Sequence, residues 1–189
     1  SIEHTFAVAH EFAHATEPPH SHRGALWVEG RADFLSYVVT GSSELIWPRE
    51  LHQTIINASG RRERVYTTSV RSLRNPLVGR MELLMPDLKL NHANSEFVSH
   101  LLFRLDQALG RDRSLALVRW MDALPSERTI PALAPQLGLK LSGLPPRSDT
   151  LYVNTAQVSA VRQAVHAQAL MILELVREWI VSLKPGAKA

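Results

Sequence analysis

The chain has 189 residues, 45% hydrophobic and 21% charged, an ordinary balance for one domain large enough to bury a core. Its net charge of +3 is too small, and its basic residues too scattered, to be an electrostatic footprint for nucleic acid. It has no cysteine, which excludes disulfide frameworks and thiolate metal sites, and no apolar run reaches the roughly 18 residues a membrane span needs.

In chain order, the hydrophobic pattern is mostly helical. "SIEHTFAVAHEFAHA" has no basic n-region and carries charge inside its apolar part, so it does not read as a signal peptide. It predicts a first helix from about Ile2 to Thr16, with Ile2, Phe6, Ala9 and Ala13 on one stripe and Pro18-Pro19 ending it. After the polar loop "EPPHSHRG", a second helix is predicted over Ala25 to Val39, closed by Gly41 as a C-cap. "WPRELHQTIINASG" predicts another short helix ending at Gly60, and the basic cluster "GRRER" reads as a solvated loop.

Between residues 61 and 92 the pattern is ambiguous: "RVYTTSV" has strand character, while "NPLVGRMELLMPDL" fits a loop or a short helix. "NSEFVSHLLFRLDQALG" predicts a helix with the stripe Phe97, Leu101, Leu105, Ala108 and a stop at Gly110. "DRSLALVRWMDAL" predicts the next helix, closed by Pro125, with Trp120 and Met121 in the core. A Pro/Gly-rich loop over 125–154, holding a short strand at "TLYVN", leads to a long amphipathic helix over 155–183. That helix reads first as core and second as a dimer or partner-docking helix. The expected fold is mainly α, a single mostly helical domain with few or no strands.

Within the first helix stands "HEFAH", residues 10–14, the pattern H-E-x-x-H. Residues four apart on a helix lie about 40° apart around the axis and one turn along it, so both imidazoles can reach one metal ion. Zinc accepts imidazole nitrogen, and its catalytic sites use three protein ligands plus an open position for water. Glu11, beside the first ligand, can take a proton from that metal-activated water. The plainer alternative is an amphipathic helix with two histidines on its polar edge.

A third ligand is offered by "LWVEGRADFLSY": Glu29 follows His14 with fourteen residues between, on the predicted second helix. Gly30 beside it permits close helix approach. Asp33, one turn on from Glu29, projects from the same face and can accept the free ring N–H of a ligand histidine, fixing its tautomer. Otherwise this pair is an acidic helix edge, but Trp27, Val28, Ala32, Phe34 and Leu35 flank it, and an unpaired carboxylate there is costly.

H-E-x-x-H followed by E-x-x-x-D resembles the gluzincin metallopeptidases, the group of thermolysin-like, aminopeptidase N-like and bacterial collagenase-like enzymes. The resemblance spans His10 to Tyr37. It implies His10, His14 and Glu29 as Zn2+ ligands, Glu11 as general base and acid, and Asp33 as partner of a ligand histidine. It also implies a peptide or protein as substrate. By the helical pattern, residues 1–60 are expected to hold the zinc-site helices and residues 61–124 to be helical with irregular connections. Two departures stand out: the loop between His14 and Glu29 is shorter than in many members, and the chain begins almost on the zinc helix, where these enzymes first have a β-sheet. Either the chain is the helical C-terminal portion of a zincin-like domain whose cleft an upstream segment of the same protein completes, which is the favoured reading, or its substrate cleft is built differently.

A rival third ligand is His20, at metzincin spacing after His14, but Glu17 stands where that pattern needs a glycine for a sharp turn. His20 and His22 can instead line the cleft and bind substrate or a developing oxyanion. Tyr66, His92, His100 and Tyr37 are, by residue type alone, candidates to stabilise an oxyanion; packing is the simpler reading of Tyr37, and a helix-surface or core role that of His100. The rival function is a catalytically inactive helical interaction module with a vestigial or structural H-E-x-x-H.

Overall fold

The first helix, α1, spans Ile2–Ala15 in the computed structural model, which describes residues 2–18, 24–47, 53–56, 62–65, 69–76, 78–84, 92–125 and 155–183. Phe6, His10 and Ala13 are buried along one side of α1, whereas Val8, Glu11 and Phe12 are exposed. Its end is tied off locally: the Thr16 and Glu17 amides donate to the Phe12 and His14 carbonyls, and the Thr16 hydroxyl donates to Ala13. Pro18 then lacks the amide needed to continue.

Helix α2 (Gly24–Thr40) ends as expected, with Gly41 at φ +73° donating its amide to the Tyr37 carbonyl at 2.8 Å. Burial runs around most of its circumference, from Leu26 and Trp27 through Ala32 and Phe34 to Tyr37. A helix of that kind belongs in the middle of a bundle, and α2 packs against α1 and two later helices. One of those contacts depends on Gly30, where a Cβ would lie 2.5 Å from Val98 Cβ and 2.8 Å from the Ser95 carbonyl oxygen.

The segment after α2 departs from expectation. In place of a helix over residues 47–60, strands β1 (Glu44–Trp47) and β2 (Gln53–Ile56) form. β2 pairs antiparallel with β3 (Arg62–Val65), and β1 with β4 (Ser69–Ser72), Leu45 standing opposite Arg71. The β-branched run Thr54-Ile55-Ile56 explains the difference, since these side chains lose rotamer freedom in a helix and fit a pleated surface. The strand character of "RVYTTSV" is realised at both its ends. Met81–Leu83 form a single 3-10 turn.

Helices α3 (His92–Leu109) and α4 (Arg111–Asp122) meet at Gly110, whose φ of +87° turns the chain between them. The buried face of α3 is rotated from the expected stripe. Phe97, Val98, Leu102 and Phe103 are buried, Leu101 and Leu105 only half-buried, and Ala108 exposed. The cause is that α3 is covered by α2 on one side and α4 on another, so its core face is broader than one stripe. Met121 is fully buried and Trp120 packs against the core. Helix α5 (Thr155–Ser182) returns across α2 and α4, with Val165, Ile172 and Trp179 buried. Each such apolar side chain taken from water contributes about 1.5–3 kcal/mol.

The described part is thus mainly helical, with two short antiparallel ribbons. No described helix is long and apolar enough to cross a membrane. The expected strand "TLYVN" and nearly all of the Pro/Gly-rich loop lie outside the described residues.

Candidate metal centre

Three side chains from α1 and α2 converge on one point. His10 Nε2 and His14 Nε2 are 3.0 Å apart, and Glu29 Oε2 lies 3.3 Å from the first and 3.7 Å from the second. In a tetrahedral zinc site with bonds of about 2.05 Å, ligand atoms stand roughly 3.3 Å apart and the ion roughly 0.7 Å out of the plane of any three. For these three atoms, a point about 2.05 Å from each stands roughly 0.6 Å out of their plane. The triangle therefore has the edges and depth of three corners of such a site. Two imidazole nitrogens at 3.0 Å also cannot both carry a hydrogen toward each other, so at least one presents its lone pair.

The local sequence produces this arrangement simply. One helical turn separates the two histidines on α1, and α2 crosses α1 with Glu29 facing them. His10 is 1% exposed and Glu29 9%, whereas the His14 side chain is 26% exposed. The cluster is therefore closed beneath His10 and open on the His14 side. Glu11 is exposed and sits about 60° around the helix axis from His14, toward that opening.

Behind the three lies a second layer. His10 Nδ1 is 2.9 Å from Asp33 Oδ1, and Asp33, fully buried, receives at Oδ2 a 2.8 Å hydrogen bond from Arg71 Nη1. Burial alone pulls the His10 pKa down, but contacts with Asp33 and Glu29 outweigh it and raise the value to about 9. Two buried carboxylates thus stand beside the His10 ring, and one of them, Asp33, is met by the Arg71 guanidinium.

The clamp on the far side of α2 completes the frame. Arg31, 5% exposed, donates to the Ala13 carbonyl at 2.9 Å and to Asp122 Oδ2 through Nη2 at 2.8 Å. It thereby fixes the last turn of α1, which carries His14, to α2 and α4.

The structure thus brings His10, His14, Glu29 and Asp33 together. Glu11 occupies the exposed side of α1. Tyr37 is a packing residue: it is buried, its ring centroid lies 5.2 Å from that of Phe103, and its hydroxyl donates to Asp106. His100 Nδ1 is 2.6 Å from the Leu73 carbonyl, tying α3 to the end of β4. His20, His22 and Tyr66 lie outside the described residues, and of the His92 side chain nothing is described. Sequence reasoning missed Arg71 and Arg31, whose partners stand 38 and 91 residues away along the chain. Arginine inside an otherwise apolar helix, as in "EGRADF", is the only signal that pointed toward either. No protein-family model matches this chain, and neither the curated proteins nor the solved structures yield a match.

Proposed function

We propose that this chain is a zinc metallopeptidase with a gluzincin-like site, in which His10, His14 and Glu29 hold the metal. The observation that carries this reading is the ligand triangle, with edges of 3.0, 3.3 and 3.7 Å, which matches three corners of a tetrahedral zinc site. The second-layer contact from Asp33 to His10 supports it, because ligand histidines regularly donate their other ring N–H to a carboxylate.

Zinc held there supplies Lewis acidity toward a carbonyl oxygen and makes water a stronger acid. The remaining work falls to the chain's own groups. Glu11, on the open side, takes the proton of the attacking water and later delivers it to the leaving amine. Asp33 keeps the Nδ1–H of His10 pointed inward, so Nε2 presents its lone pair to the metal. Glu29 provides the single anionic ligand. A donor to the developing oxyanion is also required, and His20, His22 and Tyr66 are its candidates.

Two substitutions test the proposal. Glu11→Gln should retain one zinc per chain while peptide hydrolysis falls by about 10²–10⁴-fold. His14→Ala should lose zinc and activity together. Zinc retention with unchanged hydrolysis in Glu11→Gln contradicts the assigned base. Stoichiometric zinc without any hydrolysis in the wild-type chain favours the rival, a metal-stabilised interaction module.

A further inference from the structure

We propose that Arg71 is a positioning residue for the metal centre, acting through Asp33 on His10. This role rests on the zinc reading above. Asp33 is fully buried and has two oxygens with different duties: Oδ1 lies 2.9 Å from His10 Nδ1, and Oδ2 accepts from Arg71 Nη1 at 2.8 Å. A carboxylate held at one oxygen only can rotate about its χ2 axis, which is a broad torsion. With Oδ2 tied to Arg71, its plane is constrained, and Oδ1 is kept in ion-pair contact with the His10 ring. Arg71 is itself only 7% exposed, so its hold on Asp33 is shielded from competing solvent.

The route by which Arg71 arrives gives the β1–β4 ribbon a purpose. β1 begins four residues after α2 ends, and packs against α1. Its pairing with β4 places Arg71 opposite the fully buried Leu45. The ribbon thus delivers to Asp33 a guanidinium from outside the two helices that carry the candidate ligands. A purely structural alternative is that Arg71 merely neutralises a buried carboxylate, and the two roles differ in what they do to the metal.

The test compares zinc affinity, by competition with a chelator, and the visible absorption of the cobalt-substituted chain. Arg71→Met should weaken zinc binding about 10- to 100-fold, the usual consequence of losing an outer partner of a metal ligand. It should also alter the cobalt spectrum. Arg71→Lys should recover most of the affinity, because only one guanidinium nitrogen contacts Asp33 in this bond. In an Asp33→Asn background, Arg71→Met should change affinity by no more than about twofold, since its route of action is already cut. Arg111→Met, which removes an ion-paired but part-exposed arginine held by Asp106, the Val38 carbonyl and the Tyr37 ring, is the control for losing an arginine away from the site and should leave both readouts unchanged.

Wild-type affinity and an unaltered cobalt spectrum in Arg71→Met overturn the role, as does an equal loss in the Asp33→Asn background. If Arg71→Met does not fold by circular dichroism, Arg71→Gln, with similar length and a donor but no charge, is judged by the same criteria. A wild-type chain that binds neither metal overturns the zinc site itself. Wild-type binding with an indifferent Arg71 overturns only the positioning role.

Discussion

His10 is where opposing demands meet. Metal binding needs an unprotonated Nε2, yet two buried carboxylates next to the ring hold its pKa at about 9. A value raised above the ordinary 6.5 means that, in the metal-free chain, this proton stabilises the fold fully below pH 6.5. That contribution is lost as pH rises through 9. Zinc must therefore displace a proton at neutral pH, and its affinity should climb with pH until about 9. Calorimetric titration with zinc in buffers of different ionisation enthalpy should report about one proton released per ion at pH 7. No dependence on buffer would contradict the assigned His10 state. At this scale the sequence was most informative about local spacing. H-E-x-x-H and E-x-x-x-D are each one helical turn, so geometry within a helix makes them readable. Arg71 was not readable, because its contact with Asp33 depends on a strand pairing that no local pattern encodes.

Among the elements, α2 does the most. It carries Glu29 and Asp33 toward α1, sends Arg31 to α4 and the end of α1, and leaves its Gly30 face for α3. The helices themselves were legible: α1, α2, α3, α4 and α5 lie close to their expected bounds, since apolar periodicity and terminal Gly or Pro mark them. The expected helix over residues 47–60 failed because a short apolar run with β-branched residues fits either state until tertiary pairing decides. The misjudged α3 stripe has a similar origin, since a helix clamped between two neighbours buries more than one row. Gly30 provides a test at this scale. Gly30→Ala forces Val98 and the backbone at Ser95 apart, and should cost about 1–3 kcal/mol, the range for overpacking a tight contact. Thermal denaturation should show it as a fall of several degrees in Tm, about 2–4 °C per kcal/mol for a chain of this size. An unchanged Tm would mean that α2 and α3 are not this close.

Taken whole, the described residues form a helical assembly in which one buried cluster holds three potential ligands from two crossing helices, with β4 behind them. Binding a metal to the folded state alone must stabilise it, by about 2.7 kcal/mol at a free concentration a hundred times Kd. Chelator should accordingly lower the Tm of the metal-loaded chain, and added zinc should restore it. The most direct measurement is zinc content combined with X-ray absorption at the zinc edge. The account predicts one zinc per chain, bound by two imidazole nitrogens at about 2.0–2.1 Å and a carboxylate oxygen at about 2.0–2.2 Å, and lost in His14→Ala. A chain that purifies and reconstitutes without stoichiometric zinc, or whose zinc survives removal of His14 with an unchanged ligand shell, contradicts it.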